Sequence, residues 1–101
     1  MSETDRRILI LSPEDNIAVA CRDLTGGDEL QIDGRPVRLE RDVPTGHKLA
    51  RRAIAPGEKV IKYGAPIGSA RCGIPAGAYV HTHNLGSDYI PTWDREGREM
   101  I

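Results

Sequence analysis

Ala70–Val80 reads "ARCGIPAGAYV", and two other stretches share its plan: Ala20–Leu30, "ACRDLTGGDEL", and Ala50–Val60, "ARRAIAPGEKV". Each runs Ala, three residues, an aliphatic (Leu24, Ile54, Ile74), two residues, Gly (Gly27, Gly57, Gly77), two residues, then Leu30, Val60 or Val80. The copies start 30 and then 20 residues apart, which is not a solenoid period. The pattern reads as one local device used three times. A short strand buries an aliphatic, the chain reverses at Pro or Gly, Gly supplies a positive φ, and a second strand begins.

Working outward, other turn signals agree. Asp33-Gly34 between "ELQI" and "PVRL" is a strong short hairpin signal. "RRILILS" and "NIAVA" read as strands separated by a turn over Pro13–Asn16, and "KVIKYG" and "PIGSA" as strands separated by Gly64-Ala65-Pro66. No stretch of ten residues sustains helical periodicity, and "GHKLARRAI" is expected to be extended. The sequence therefore predicts a mostly β single domain over residues 1–85. Residues 86–101 are polar, contain Pro91 and show no pattern, so they are expected to form an irregular tail, either frayed or docked through Tyr89, Ile90 and Trp93.

Composition narrows the function classes. A chain of 101 residues has room for one core, and with 39% hydrophobic residues and no Phe that core must be aliphatic. Lys and Arg number 14 against 15 Asp and Glu, with no basic stripe interleaved with aromatics, which argues against nucleic acid. Arg6-Arg7 and Arg51-Arg52 read as solvated surface. No apolar run approaches the ~20 residues of a membrane span, and "SETDRR" after Met1 is no signal peptide. A cytoplasmic location is expected, with Cys21 and Cys72 packed as small apolar groups.

Chemistry concentrates in two places. In "VHTHN" an extended strand would put His81 and His83 on one face about 6.5 Å apart, which suits two ligands of one metal, a substrate contact, or a polar strand end facing water. In "GHK", His47 can act as acid or base and Lys48 can bind a carboxylate, but strand neighbours point to opposite faces unless the turn at Gly46 bends them together. Lys62 and Tyr63 can add a cation and a phenol. Asp15, Asp28 and Asp88 read as turn residues. Neither a nucleophile elbow nor a phosphate-binding Gly loop is present, so a self-contained hydrolase is not expected.

"GHKLARRAIAPGEKVIKYGAPIGSA" followed by "IPAGAYVHTHNL" is similar to the SAF-domain module of the altronate dehydratase family, which includes altronate and galactarate dehydratases. It also resembles the small subunits of two-component relatives such as sulfolactate sulfo-lyase. The likeness runs from about Asp15 through Leu85. It implies a β-clip fold and a metal-dependent lyase reaction, usually loss of water from a sugar acid or related hydroxy acid, with iron(II) as the expected divalent ion. It further implies a large catalytic lyase subunit as partner, because this chain lacks the catalytic region of those enzymes. By resemblance His81 and His83 would serve the metal, and His47 and Lys48 catalysis. Asn84, Lys62 and Tyr63 would contact substrate, with strand-end capping the other role open to Asn84. A chain that completes a site on another protein should carry an exposed apolar patch, and in isolation it is expected to self-associate.

Two further readings stay open: a non-catalytic module binding a sugar or acid, and a purely structural interaction domain. Histidines converging on one face favour the lyase component. A groove lined by Tyr63, Tyr79 and Lys62, with the histidines dispersed, favours the binding module.

Overall fold

The computed structural model describes residues 3–81, 83–86, 92–93 and 99–100. Among them every regular element is a strand, and all pairing between strands is antiparallel. The chain is mostly β, as its turns predict. A central sheet orders β1 (Ile8–Leu9), β2 (Ile17–Ala20), β5 (Lys48–Ala50) and β8 (Tyr79–Val80). Two hairpins spring from it. One is β3 (Glu29–Ile32) with β4 (Arg35–Arg38); the other is β6 (Lys59–Lys62) with β7 (Ala65–Ala70), extended by β9 (Leu85–Gly86). Within the segment expected to be irregular, β10 (Thr92–Trp93) pairs with β11 (Glu99–Met100). Tyr89 and Ile90, expected to help dock the tail, lie outside the described residues, as does Asp88.

The turn device occurs four times, not three. The fourth copy, Leu39–Leu49, keeps Val43, Gly46 and Leu49 and carries Leu39 where the others have Ala. The copies associate in two pairs with the same hydrogen-bond plan. Leu24 and Val43 exchange both backbone bonds (2.9 and 2.9 Å), as do Ile54 and Ile74 (2.8 and 2.8 Å). Each turn glycine then donates to the carbonyl that opens its partner copy: Gly27 to Leu39, Gly46 to Ala20, Gly57 to Ala70 and Gly77 to Ala50, all at 2.8 Å. The chain is thus a structural duplication, residues 20–49 followed by 50–80, each half holding two turn devices and the hairpin between them.

Both hairpins turn through two left-handed residues, Asp33-Gly34 (φ 52° and 79°) and Tyr63-Gly64 (φ 57° and 72°). This turn type matches strand twist and needs positive φ at both positions. It corrects the expectation for the second hairpin: the reversal is at Tyr63-Gly64, and Ala65 and Pro66 already belong to β7. The second hairpin's extra residue is absorbed as a bulge, where the register slips between Val60 and Ile61. Asp15, a buried turn residue, fastens this turn: its carboxylate accepts the amides of Ser12 (3.1 Å), Tyr63 (3.1 Å) and Gly64 (2.8 Å).

Alternation along β2 and β5 explains the core. Ala18, Ala20 and Leu49 face a cluster with Ile8, Leu24, Leu30, Ile32, Leu39 and Val43, drawn largely from the first half. Ile17 and Ala50 face the opposite way, into a cluster with Ile54, Val60, Ala70, Ile74 and Val80 from the second half. One sheet therefore lies between two aliphatic cores, which corrects the single core expected from the chain's length, and each large buried side chain contributes roughly 1.5–3 kcal/mol.

Two expectations are corrected here. Arg51 is no solvated cation: half-buried, it grips the Asp33 carboxylate with Nε (2.7 Å) and Nη2 (2.9 Å) and donates from Nη1 to the carbonyls of Pro13 and Asp15 (both 2.9 Å). Cys21 and Cys72 are free thiols but exposed, because both lie in bends where the chain leaves the core. The apolar surface expected for a partner is limited, among large side chains of the described residues, to Leu9 and Tyr63. Elsewhere on the surface lies a shallow dish of about 410 Å³ whose lining includes Ala53, Ala55, Pro56 and Pro75.

Candidate functional site

His47 sits at the end of the fourth turn device. Its amide donates to Pro44 O (3.0 Å) and its carbonyl accepts Ala20 N–H (2.9 Å), so its backbone is tied on both sides. From there the ring reaches across the sheet to Tyr79, whose hydroxyl lies 2.5 Å from Nδ1. The phenol donates or accepts in that bond according to the imidazole tautomer. Tyr79 is placed by its pairing with Leu49 and packs against the first core, leaving the ring half-buried.

The other histidines gather on the same tyrosine. The His81 ring lies 5.5 Å from Tyr79 and 6.2 Å from His47, and the His83 ring 6.1 Å from Tyr79, measured between centroids. They do not share the face of an extended strand, because β8 stops at Val80. His81 O accepts the amides of Asn84 (3.0 Å) and Leu85 (2.9 Å), curling the segment into a turn. Asn84 holds this turn: buried, it accepts His81 N–H at Oδ1 (2.9 Å) and donates from Nδ2 to Tyr79 O (2.7 Å). Both ends of its amide are thus engaged with backbone, which is the geometry of a strand-end cap.

Arg41 completes the group and had no signal in the sequence. Its guanidinium carbon stands 4.6 Å from the Tyr79 ring centroid, a cation–π contact. It lies in the fourth turn device, where the sequence pattern shows no copy.

The remaining expected residues lie elsewhere. Lys48 is paired with Val19 and Val80, whose side chains belong to the second core, while His47 and Tyr79 are on the first-core side. The turn at Gly46 therefore does not bring Lys48 to His47. Burial pushes the Lys48 ammonium below its ordinary value, and the neighbouring charge of Lys62 adds to the shift. Lys62 Nζ rests 5.6 Å from the Tyr63 ring centroid, and Tyr63 is 69% exposed at the hairpin tip. The structure thus has an imidazole–phenol–guanidinium cluster and, apart from it, Lys48 in the central sheet and Lys62 with Tyr63 at a hairpin tip.

The cluster is positively charged or neutral at every group, which suits an anion and proton transfer. Among the described residues no three His, Cys, Asp or Glu side chains converge as a metal site. Its imidazoles therefore form at most a partial donor set for a divalent ion among the described residues. The surface depressions at Glu3–Arg6 with Gln31 (about 630 Å³) and around Ile54 and Ile74 (about 410 Å³) are not lined by its residues. On the histidine face His81 and His83 are exposed and His47 is half-buried.

Comparison with known proteins adds to this geometry. Residues 6–88 match the family described as the altronate/galactarate dehydratase SAF domain. The chain is 53% identical over 70 residues to altronate dehydratase of Escherichia coli (strain K12), covering 69% of this chain and 14% of that enzyme. It is 37% identical over 89 residues to altronate dehydratase of Bacillus subtilis (strain 168), covering 80% of this chain and 18% of the enzyme. To (2R)-sulfolactate sulfo-lyase subunit alpha of Paracoccus pantotrophus it is 46% identical over 43 residues, 43% of this chain and 64% of that subunit. The chain thus spans less than a fifth of the length of the two dehydratases. Among the described residues no helix is long and apolar enough to cross a membrane.

Proposed function

Because the chain belongs to the altronate/galactarate dehydratase SAF-domain family, we propose that it is the small SAF-domain component of a cytoplasmic carbon–oxygen lyase that dehydrates a sugar acid or related hydroxy acid, completing the active site of a separate large subunit. The observation that carries this reading is the gathering of all three histidines around Tyr79 on one open face.

Such a reaction removes a proton beside a carboxylate and expels a hydroxyl. In this reading His47 holds or delivers the proton, its ring oriented by the Tyr79 hydroxyl, a role worth typically 10²–10⁴-fold in rate. Asn84 positions His81 and His83 by holding their turn in one conformation. A divalent ion, iron(II) by the family resemblance, would be held by His81 and His83 with ligands from the large subunit, and would supply Lewis-acid stabilisation of charge developing on the acid. Lys48, Lys62 and Tyr63 lie off this face and are assigned substrate contact only where the large subunit wraps the hairpin tip.

The test is to purify the chain together with a large lyase subunit encoded beside it and to assay a panel of hydroxy acids with iron(II). Activity requiring both chains, and falling at least 100-fold in His83→Ala while the complex still forms, is the expected result. A stable complex whose activity is unchanged in both His81→Ala and His83→Ala overturns the catalytic assignment. Sulfite released from sulfolactate, with no water lost from any hydroxy acid, moves the reading to a sulfo-lyase.

A further inference from the structure

We infer that Arg41 is the residue that binds the carboxylate of the acid, with the Tyr79 ring as its platform. The inference rests on the lyase reading for the nature of the ligand, and on separate observations for the residue.

The first observation is placement. Arg41 belongs to the link between β4 and β5, and its backbone is fitted against Gly26, where an added Cβ would stand 3.0 Å from Arg41 Cα. The next residue, Asp42, accepts Gly26 N–H at 2.8 Å, which pins the same stretch. From this fixed backbone the exposed side chain brings its guanidinium carbon to 4.6 Å from the Tyr79 ring centroid, a contact that favours this placement of the head group.

The second observation is what Arg41 lacks. Among the described residues it takes part in no ion pair, whereas Arg7, Arg51 and Arg52 each grip a carboxylate of this chain. A guanidinium that contacts an aromatic ring and forms no ion pair within the chain keeps N–H groups free to donate, and these match the two oxygens of a carboxylate. The third observation is the company it keeps. Tyr79, the ring it stands over, is also the ring around which His47, His81 and His83 gather.

The test measures kcat and KM of the assembled two-chain enzyme for its hydroxy acid in the native chain, Arg41→Gln and Arg41→Lys, with the affinity of the two chains determined in parallel. The expected result is a KM raised roughly 10- to 100-fold in Arg41→Gln. The change in kcat stays within about threefold, recovery in Arg41→Lys is partial, and subunit affinity is unchanged. An unchanged KM overturns the inference, and so does weaker subunit association with normal KM once assembled, which makes Arg41 an interface residue. If the native complex shows no lyase activity, the functional reading fails on its own. The inference is then judged by titrating the full chain with gluconate and with uncharged sorbitol while following the Arg41 Nε–H and imidazole resonances. Shifts with gluconate only, abolished in Arg41→Gln, support it; no shift, or the same shifts in Arg41→Gln, overturn it.

Discussion

At Gly77 the backbone adopts φ +82° and an added methyl would collide with Val37 Cγ1. Gly57 occupies the matching place in the preceding copy, with φ +81°, yet a Cβ there meets nothing within 4 Å. The two alanine substitutions therefore separate backbone strain from crowding. Gly57→Ala is expected to cost about 1–2 kcal/mol from the left-handed conformation alone. Gly77→Ala should cost a further ~1–3 kcal/mol of overpacking. Equal urea midpoints for the two variants would contradict this. Acid sensitivity is also set by single residues. Hydrogen bonds from Arg7 hold the Asp5 carboxyl down at about 2, against an ordinary 3.8, and Arg51 lowers Asp33 in the same direction. A depressed carboxyl stabilises the fold above its unfolded pKa, and that contribution is lost as pH falls from about 4 through about 2. After solvent screening the Asp5 share is about 1 kcal/mol. Asp5→Asn should therefore lose about that much less stability than the native chain across this range, as read by urea unfolding.

Among the elements, the two halves solve the same turn problem with different residues. Asp28 Oδ2 accepts the amide of Thr25 (3.1 Å), and at the matching place Glu58 Oε1 accepts that of Ala55 (2.9 Å). Gly26 donates to Asp42, whereas the matching positions are Pro56, which has no N–H, and Gly73, which has no carboxylate. Donor and acceptor were thus exchanged together, leaving no orphan group. Arg51 joins the halves by tying the first hairpin turn, through Asp33, to the Pro13–Asp15 segment that braces the second. Arg51→Met should destabilise by about 2 kcal/mol. Arg51→Lys should recover little, since one ammonium cannot reproduce the fork. Thermal unfolding of the two variants checks this, and full recovery in the lysine variant would show that charge alone matters.

For the molecule as a whole, a single sheet between two cores predicts one cooperative unit. β2 and β5 contribute neighbouring residues to opposite clusters, so neither core can open without loosening the other. Ile54→Ala, in the second core, is expected to cost about 2–5 kcal/mol. It should lower hydrogen-exchange protection of the Leu24 and Val43 amides as much as that of Ile74. Retained protection at Leu24 and Val43 would show that the halves unfold separately.

Much of this architecture is legible along the chain, because it is written in local backbone preference. Asp33-Gly34, the three glycines at matching spacing, and the alternation in "NIAVA" and "ELQI" encode dihedral angles and faces that need no distant partner. "GHK" and "VHTHN" likewise carry the family resemblance as short, intact words. Other features could not be read this way. The fourth copy hides behind Leu39 in place of Ala, and its identity shows only through its bonds to the first copy. The curl at His81 depends on Asn84 turning its amide back onto the Tyr79 carbonyl, a bond that overrides the extended pattern. Arg51 looks like any exposed cation until Asp33 is brought to it. The sequence by itself determined the first hairpin turn, three of the four turn devices and which side chains are buried by alternation. Only the tertiary structure decided that Arg41, His47, His81 and His83 meet at Tyr79 while Lys48 does not. That meeting depends on β5 pairing with β8 and on turn devices pairing across about 20 residues, and long-range register is a property of the whole packed molecule.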